Sequence, residues 1–141
     1  MDVSVKLKEA TALAKSKSFD QAIELLIELL PIMATQGGFP HSAYTKIIPY
    51  FQKAGRYSEV EEFCKTYLFI SIKRDCDKTF AHKPEETGLA FIHLHTSMIY
   101  DKLILCAKRE KCTDDIGRFQ NAKIAHYDIY ESWFVKEHGE T

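Results

Sequence analysis

Apolar side chains recur along most of this chain at spacings of three and four residues, the period of a helix with one face turned inward. Val5, Leu7, Ala10, Leu13 and Ala14 form the first such stripe and predict a helix over residues 3–15. The polar break Lys15-Ser16-Lys17-Ser18 follows, and then a run from Ala22 to Leu30 whose only charges are Glu24 and Glu28, one turn apart. A helix so apolar around its circumference should lie between other helices. Gln36-Gly37-Gly38-Phe39-Pro40 ends it in a turn. A third helix is predicted over about 41–54, with Tyr44, Ile47, Ile48 and Phe51 on one side. Pro49 falls inside it, where the missing N–H and the clash with the preceding turn cost about 3 kcal/mol unless the helix bends. A kink is therefore expected between Ile48 and Tyr50.

Gly55 leads into a fourth helix over about 57–73, and residues 75–83 read as the main irregular linker. Pro84-Glu85-Glu86 marks a helix start, since proline is tolerated in the first turn and carboxylates favour its positive end. That fifth helix should run to about Lys111. Thr113-Asp114-Asp115 then opens a sixth that reaches nearly to Glu137. No segment alternates as a strand does. The expected fold class is all-α: one domain over 1–141 with about six helices, two hairpins in 1–74 and a long hairpin over 84–138.

Three segments echo one another: Ser18-Phe19-Asp20-Gln21-Ala22, Gly55-Arg56-Tyr57-Ser58-Glu59-Val60 and Gly117-Arg118-Phe119-Gln120-Asn121-Ala122. Each sets an aromatic three positions before a small or β-branched residue, which covers the corner of a helical hairpin and lets its two helices approach. With Tyr44, Ile47, Phe51, Gly55, Tyr57 and Val60 in one unit, and Ala10, Leu13, Phe19, Ala22 and Leu26 in another, the chain resembles the tetratricopeptide-repeat superfamily. Its helix-turn-helix units are about 34 residues long. The resemblance covers roughly residues 3–72. Lys6 and Glu9 depart from it in the first unit, and Glu110 and Thr113 in the third.

The resemblance implies antiparallel hairpins stacked as a short right-handed superhelix that holds a partner on its inner face. By position that face would carry Ser4, Leu7, Thr11, Ser42, Thr45, Pro49 and Gln52. Family members that grip a terminal carboxylate do so with Lys, Asn and Arg at these places, a set this chain lacks. The lining is therefore expected to be uncharged and suited to an apolar or hydrogen-bonding peptide. Thr45→Arg is expected to leave folding intact while weakening partner capture.

Composition narrows the function further. Nineteen basic and 20 acidic residues leave a net charge of −1, with no block of like charge. That speaks against a nucleic-acid binder, which shows a basic excess. No apolar run approaches the roughly 20 residues of a membrane helix. The N-terminal sequence does not read as a signal peptide, and four cysteines without close pairing suit a reducing compartment. The expectation is a cytoplasmic protein–protein interaction module or adaptor with a protein or peptide partner and no cofactor.

No spacing of a metal or catalytic motif occurs. His93 and His95 are two apart and point to different sides of a helix, so no metal site is expected. Cys64, beside Phe63, reads as a small buried apolar group. Asp101 reads as lying on the wet edge of the fifth helix. The alternative function is a small-ligand binder or enzyme with a pocket between the two long C-terminal helices, using His93, Asp101 and His126. The last helix is unusually aromatic, and Tyr130, Trp133 and Phe134 are candidates for an interface with a partner, or with a second copy in an obligate homodimer.

Overall fold

The structure is a computed structural model that describes residues 2–139; Met1, Glu140 and Thr141, counted in the expected single domain, lie outside the described residues. The described chain is all-helical. Its segments are α1 (Val3–Lys15), α2 (Phe19–Gln36), α3 (His41–Thr45), α4 (Ile47–Lys53), α5 (Tyr57–Phe63), a π-helical stretch (Cys64–Leu68), α6 (Phe69–Thr79), α7 (Glu85–Arg109) and α8 (Thr113–His138). Segments α3 and α4 form one broken rod, and α5 to α6 another, which gives six rods.

Helix α1 begins where Asp2 accepts a hydrogen bond from the Val5 N–H at 3.2 Å, satisfying one of the free donors of the first turn. Helix α2 lies between α1, α4 and α6 and buries Ile23, Leu26, Leu29, Leu30 and Met33. Helix α7 packs on α3, α4, α6 and α8. Its residues Ile99, Leu103 and Cys106 join Ile48, Phe51, Val60 and Phe63 in the core.

Three turns share one form. Lys17, Gly55 and Lys111 each adopt positive φ (66°, 75° and 58°). The next residue's N–H then returns to a carbonyl five residues back: Ser18 to Leu13, Arg56 to Phe51, and Cys112 to Ala107, at 2.8–3.0 Å. This is the capping geometry that ends a helix and folds the chain back. The first two turns carry the aromatic echoes at Phe19 and Tyr57. The third places Thr113 at the corresponding site, so the echo at Gly117–Ala122 lies within α8 and marks no turn.

Three expectations need correction. The third helix breaks at Lys46, not between Ile48 and Tyr50. Pro49 offers no N–H to the carbonyl four residues earlier, that of Thr45, and its ring crowds that carbonyl, so the disturbance falls one turn before the proline. The fourth helix continues to Thr79, which shortens the linker to residues 80–84 and moves the end of the second hairpin beyond residue 74. Finally, Asp75 is not a linker residue: it is only 6% exposed.

The Asp75 carboxylate explains the longer helix. Its Oδ1 accepts from the Gly38 N–H (2.8 Å) and the Thr79 hydroxyl (2.8 Å), and its Oδ2 from the Phe39 N–H (3.2 Å) and the Tyr44 hydroxyl. One side chain thus ties α6 to the α2–α3 turn. Gly37 has φ +75° there, and a Cβ on it would meet Lys78 Cγ at 2.9 Å. Both the backbone angle and the close approach require glycine.

Candidate functional site

Three regions bring together residues with chemical or binding capacity. The first lies between α1 and the break in the third rod. Ser4, Leu7, Lys8, Thr11, Ala12, Lys15 and Lys46 surround a cavity of about 370 Å³. The α1 residues follow the three–four spacing of a single helix face. Lys46, at the break, reaches it from the third rod: its Nζ donates to Thr11 Oγ1 at 2.7 Å. Thr11 in turn donates to the Leu7 carbonyl at 3.1 Å, which fixes the hydroxyl in the accepting orientation. Burial removes water from the Lys46 ammonium and lowers its pKa. Among the described residues, none of Lys8, Lys15 and Lys46 has a carboxylate within ion-pair distance.

Ser4, Leu7 and Thr11 therefore line this cavity, whereas Ser42, Thr45, Pro49 and Gln52 do not. Thr45 is 1% exposed and belongs to the interior, so it presents nothing to a partner. Pro49 is half-buried, and Gln52 is engaged with Glu110 Oε2 at 2.8 Å. The uncharged lining expected from the sequence is also overturned, because the three lysines dominate it. The sequence signal for them was available at Lys8 and Lys15, seven residues apart on one helix face. Lys46 was hidden, because its contact with Thr11 joins residues 35 positions apart in the chain.

The second region joins α7 and α8. His93 Nδ1 and His126 Nδ1 are 2.9 Å apart, so one ring donates its N–H and the other accepts. Tyr100 stacks on His126 with centroids 5.9 Å apart. Asp101 does not join them: it is exposed and pairs with Lys123 at 2.7 Å, on the wet edge expected of it. His95 lies apart, edge-on to His41. Among the described residues, no three His, Cys, Asp or Glu side chains gather as a metal site would require. Cys64, Cys76 and Cys106 are buried, and burial raises the pKa of each thiol, which disfavours the nucleophilic thiolate.

Burial lowers the pKa of His126, and the neighbouring His93 lowers it further. Burial, then His41, does the same to His95. The folded chain thus prefers these rings neutral, while the unfolded chain binds their protons at the ordinary imidazole pKa of about 6.5. Stability consequently falls as pH drops through that value and levels off below the folded-state pKa values. Thermal melts at about pH 7.5 and about pH 5.5 should show a lower Tm at the acid pH, with a smaller drop in His126→Gln. An identical drop in both proteins would remove His126 from this account.

The third region is the aromatic end of the α7–α8 hairpin. Phe91 stacks on Phe80 (4.5 Å) and meets Tyr130 (5.7 Å) and Trp133 (5.6 Å) edge-on. Of the three interface candidates, Tyr130 and Trp133 are half-buried in this cluster, whereas Phe134 is 44% exposed. No helix among the described residues is long and apolar enough to cross a membrane. Compared with family models, curated proteins and solved structures, the chain matches none.

Proposed function

We propose that the protein is an interaction module of tetratricopeptide-like design whose inner face holds an acidic peptide segment. One observation carries this reading: three lysines without ion-pair partners among the described residues surround a single cavity, and one of them is half-buried. A desolvated ammonium is costly unless an anion or hydrogen-bond acceptor compensates it, and Thr11 supplies only a neutral one. A bound carboxylate completes the compensation.

The spacing favours a peptide over a single compact anion. Lys8 and Lys15 are two helical turns apart, about 10 Å along α1, and Lys46 lies against Thr11 between them. In an extended chain, alternate side chains repeat on one side about every 7 Å, which brings carboxylates to more than one of these cations. Leu7 and Ala12 provide an apolar floor. The three hairpin turns of one form, and the packing of α7 on α3, α4 and α6, support the repeat-like arrangement. The free thiols are in keeping with a reducing cytoplasm as the protein's compartment.

The test is fluorescence anisotropy with a labelled peptide of alternating glutamate and glycine. Binding should saturate and weaken with salt, and Lys8→Gln and Lys46→Gln together should reduce affinity by at least about tenfold, each ion pair contributing a share. Lys83→Gln, on the exposed linker, should bind as the wild type does. Equal affinity of the wild type and the double variant, or preference for an oligonucleotide of equal charge, would reject the reading.

A further inference from the structure

The outward side of α8 has a different chemistry from the inner face. This helix packs chiefly against α7, and Phe119 is its one buried residue. Ile124, Tyr127, Asp128, Glu131, Phe134 and Val135 share one side by helical spacing, away from the side that carries Phe119, His126 and Trp133; its Tyr127–Phe134 edge adjoins Tyr130 of the aromatic cluster, at 6.0 and 6.1 Å. Ile124 is 58% exposed, and Tyr127, Phe134 and Val135 are each more than a third exposed. A helix face left in water is ordinarily polar. Here apolar side chains extend over three turns, the pattern of a contact surface.

Charge identifies the kind of partner. The two lysines in this half of α8 are engaged by α7: Lys123 by Asp101 at 2.7 Å and Lys136 by Glu86 at 3.6 Å. Asp128 and Glu131 have no ion pair among the described residues. With Ser132 and Val135 they border a hollow of about 350 Å³ on the helix surface. Two carboxylates, a hydroxyl and a patch of methyl groups match an arginine: its planar guanidinium bonds to both acids while its stem lies on the apolar wall. A second copy of this chain fits poorly. A two-fold axis through the patch would set the Asp128–Glu131 pairs of the two copies against each other.

We propose that the outward face of α8 docks an amphipathic helix of a partner protein, with an apolar stripe on Ile124, Tyr127, Phe134 and Val135 and an arginine seated between Asp128 and Glu131. A helix laid along α8 makes its contacts at the same three–four spacing, which a rigid helical face presents without rearrangement. The face is separate from the lysine cavity, so this proposal stands or falls independently of the inner-face reading.

The probe is a stapled amphipathic peptide with a leucine stripe flanked by arginines, compared with versions in which lysine or glutamate replaces arginine. Wild-type protein should bind the arginine peptide best and the glutamate peptide at least about tenfold more weakly, the scale of a lost charge-assisted pair. Asp128→Asn with Glu131→Gln should abolish that preference without changing Tm, because both side chains are exposed. Ile124→Glu should weaken all three peptides, and Lys46→Gln none. Equal binding of the arginine and glutamate peptides would overturn the proposal. So would a concentration-dependent dimer in light scattering that Ile124→Glu converts to monomer.

Discussion

Asp75→Ala is expected to lower the unfolding free energy by about 4 kcal/mol, a large part of the roughly 5–15 kcal/mol that holds a domain of this size. The substitution strips acceptors from four donors at once: the N–H groups of Gly38 and Phe39 and the hydroxyls of Tyr44 and Thr79. A hydrogen bond to a charged group contributes about 1.5–3 kcal/mol, and a buried donor left unmade costs about 1–3 kcal/mol. Full addition overstates the loss, since the Gly38 N–H also reaches Thr79 Oγ1 at 2.9 Å and can keep that bond. Asp75→Asn should be intermediate. Both carboxylate oxygens accept two bonds, whereas an amide has one oxygen and would point an NH₂ at the remaining donors. Urea titrations of the wild type, Asp75→Asn, Asp75→Ala and Tyr44→Phe should rank in that order of falling stability, apart from Tyr44→Phe, which loses one bond and should lie near the wild type. A loss below about 1 kcal/mol in Asp75→Ala would show that the bracket is not a principal tie between α6 and the α2–α3 turn.

Thr45→Arg is expected to unfold the protein, the reverse of what its place in the repeat implies. Thr45 is 1% exposed and its neighbours Tyr44, Ile47 and Ile48 are buried with it. An arginine there must either bury an unpaired guanidinium or force α3 out of the core, with a cost above about 4 kcal/mol. The far-ultraviolet circular dichroism of the variant should show lost helix or a Tm lowered by ten degrees or more, since about 1 kcal/mol moves Tm by roughly 2–8 °C in domains of 60–250 residues. Native helicity and Tm would return Thr45 to the surface. Thr45→Val keeps the volume and buries no charge, so its cost should stay within about 1 kcal/mol, the scale of a single hydroxyl's hydrogen bond. This contrast separates burial of charge from any special role of threonine.

The two faces proposed for docking have opposite character, which gives the molecule a polarity. Lysines dominate the cavity at the N-terminal end, and carboxylates mark the outward side of α8. Net charge conceals this, because 19 cations and 20 anions nearly cancel over the whole chain. Sign-segregated patches on a near-neutral protein direct association at short range without a large overall field.

Much of the fold was legible because its causes are local. The stripe in α1, the Pro84-Glu85-Glu86 start of α7 and the closing turns depend on residues within a few positions of one another, so periodicity and backbone sterics specify them. Pro49 announced a break, but its location at Lys46 follows from which earlier carbonyl loses its donor. The apolar circumference of α2 likewise declared a helix enclosed by others. What the sequence could not disclose are contacts between residues far apart along the chain. Asp75 and Gly38 are 37 positions apart, Lys46 and Thr11 are 35, and His93 and His126 are 33. Read locally, Asp75 marked a linker; the resemblance put Thr45 on an accessible face; and whether His93 met His126 stayed open. The sequence by itself determined the helices and their turns, since those arise from neighbours in the chain. Only the tertiary structure decided which side chains became a buried bracket, a lysine-lined cavity or an outward acidic face, because the packing of one helix on another sets the direction in which each side chain points.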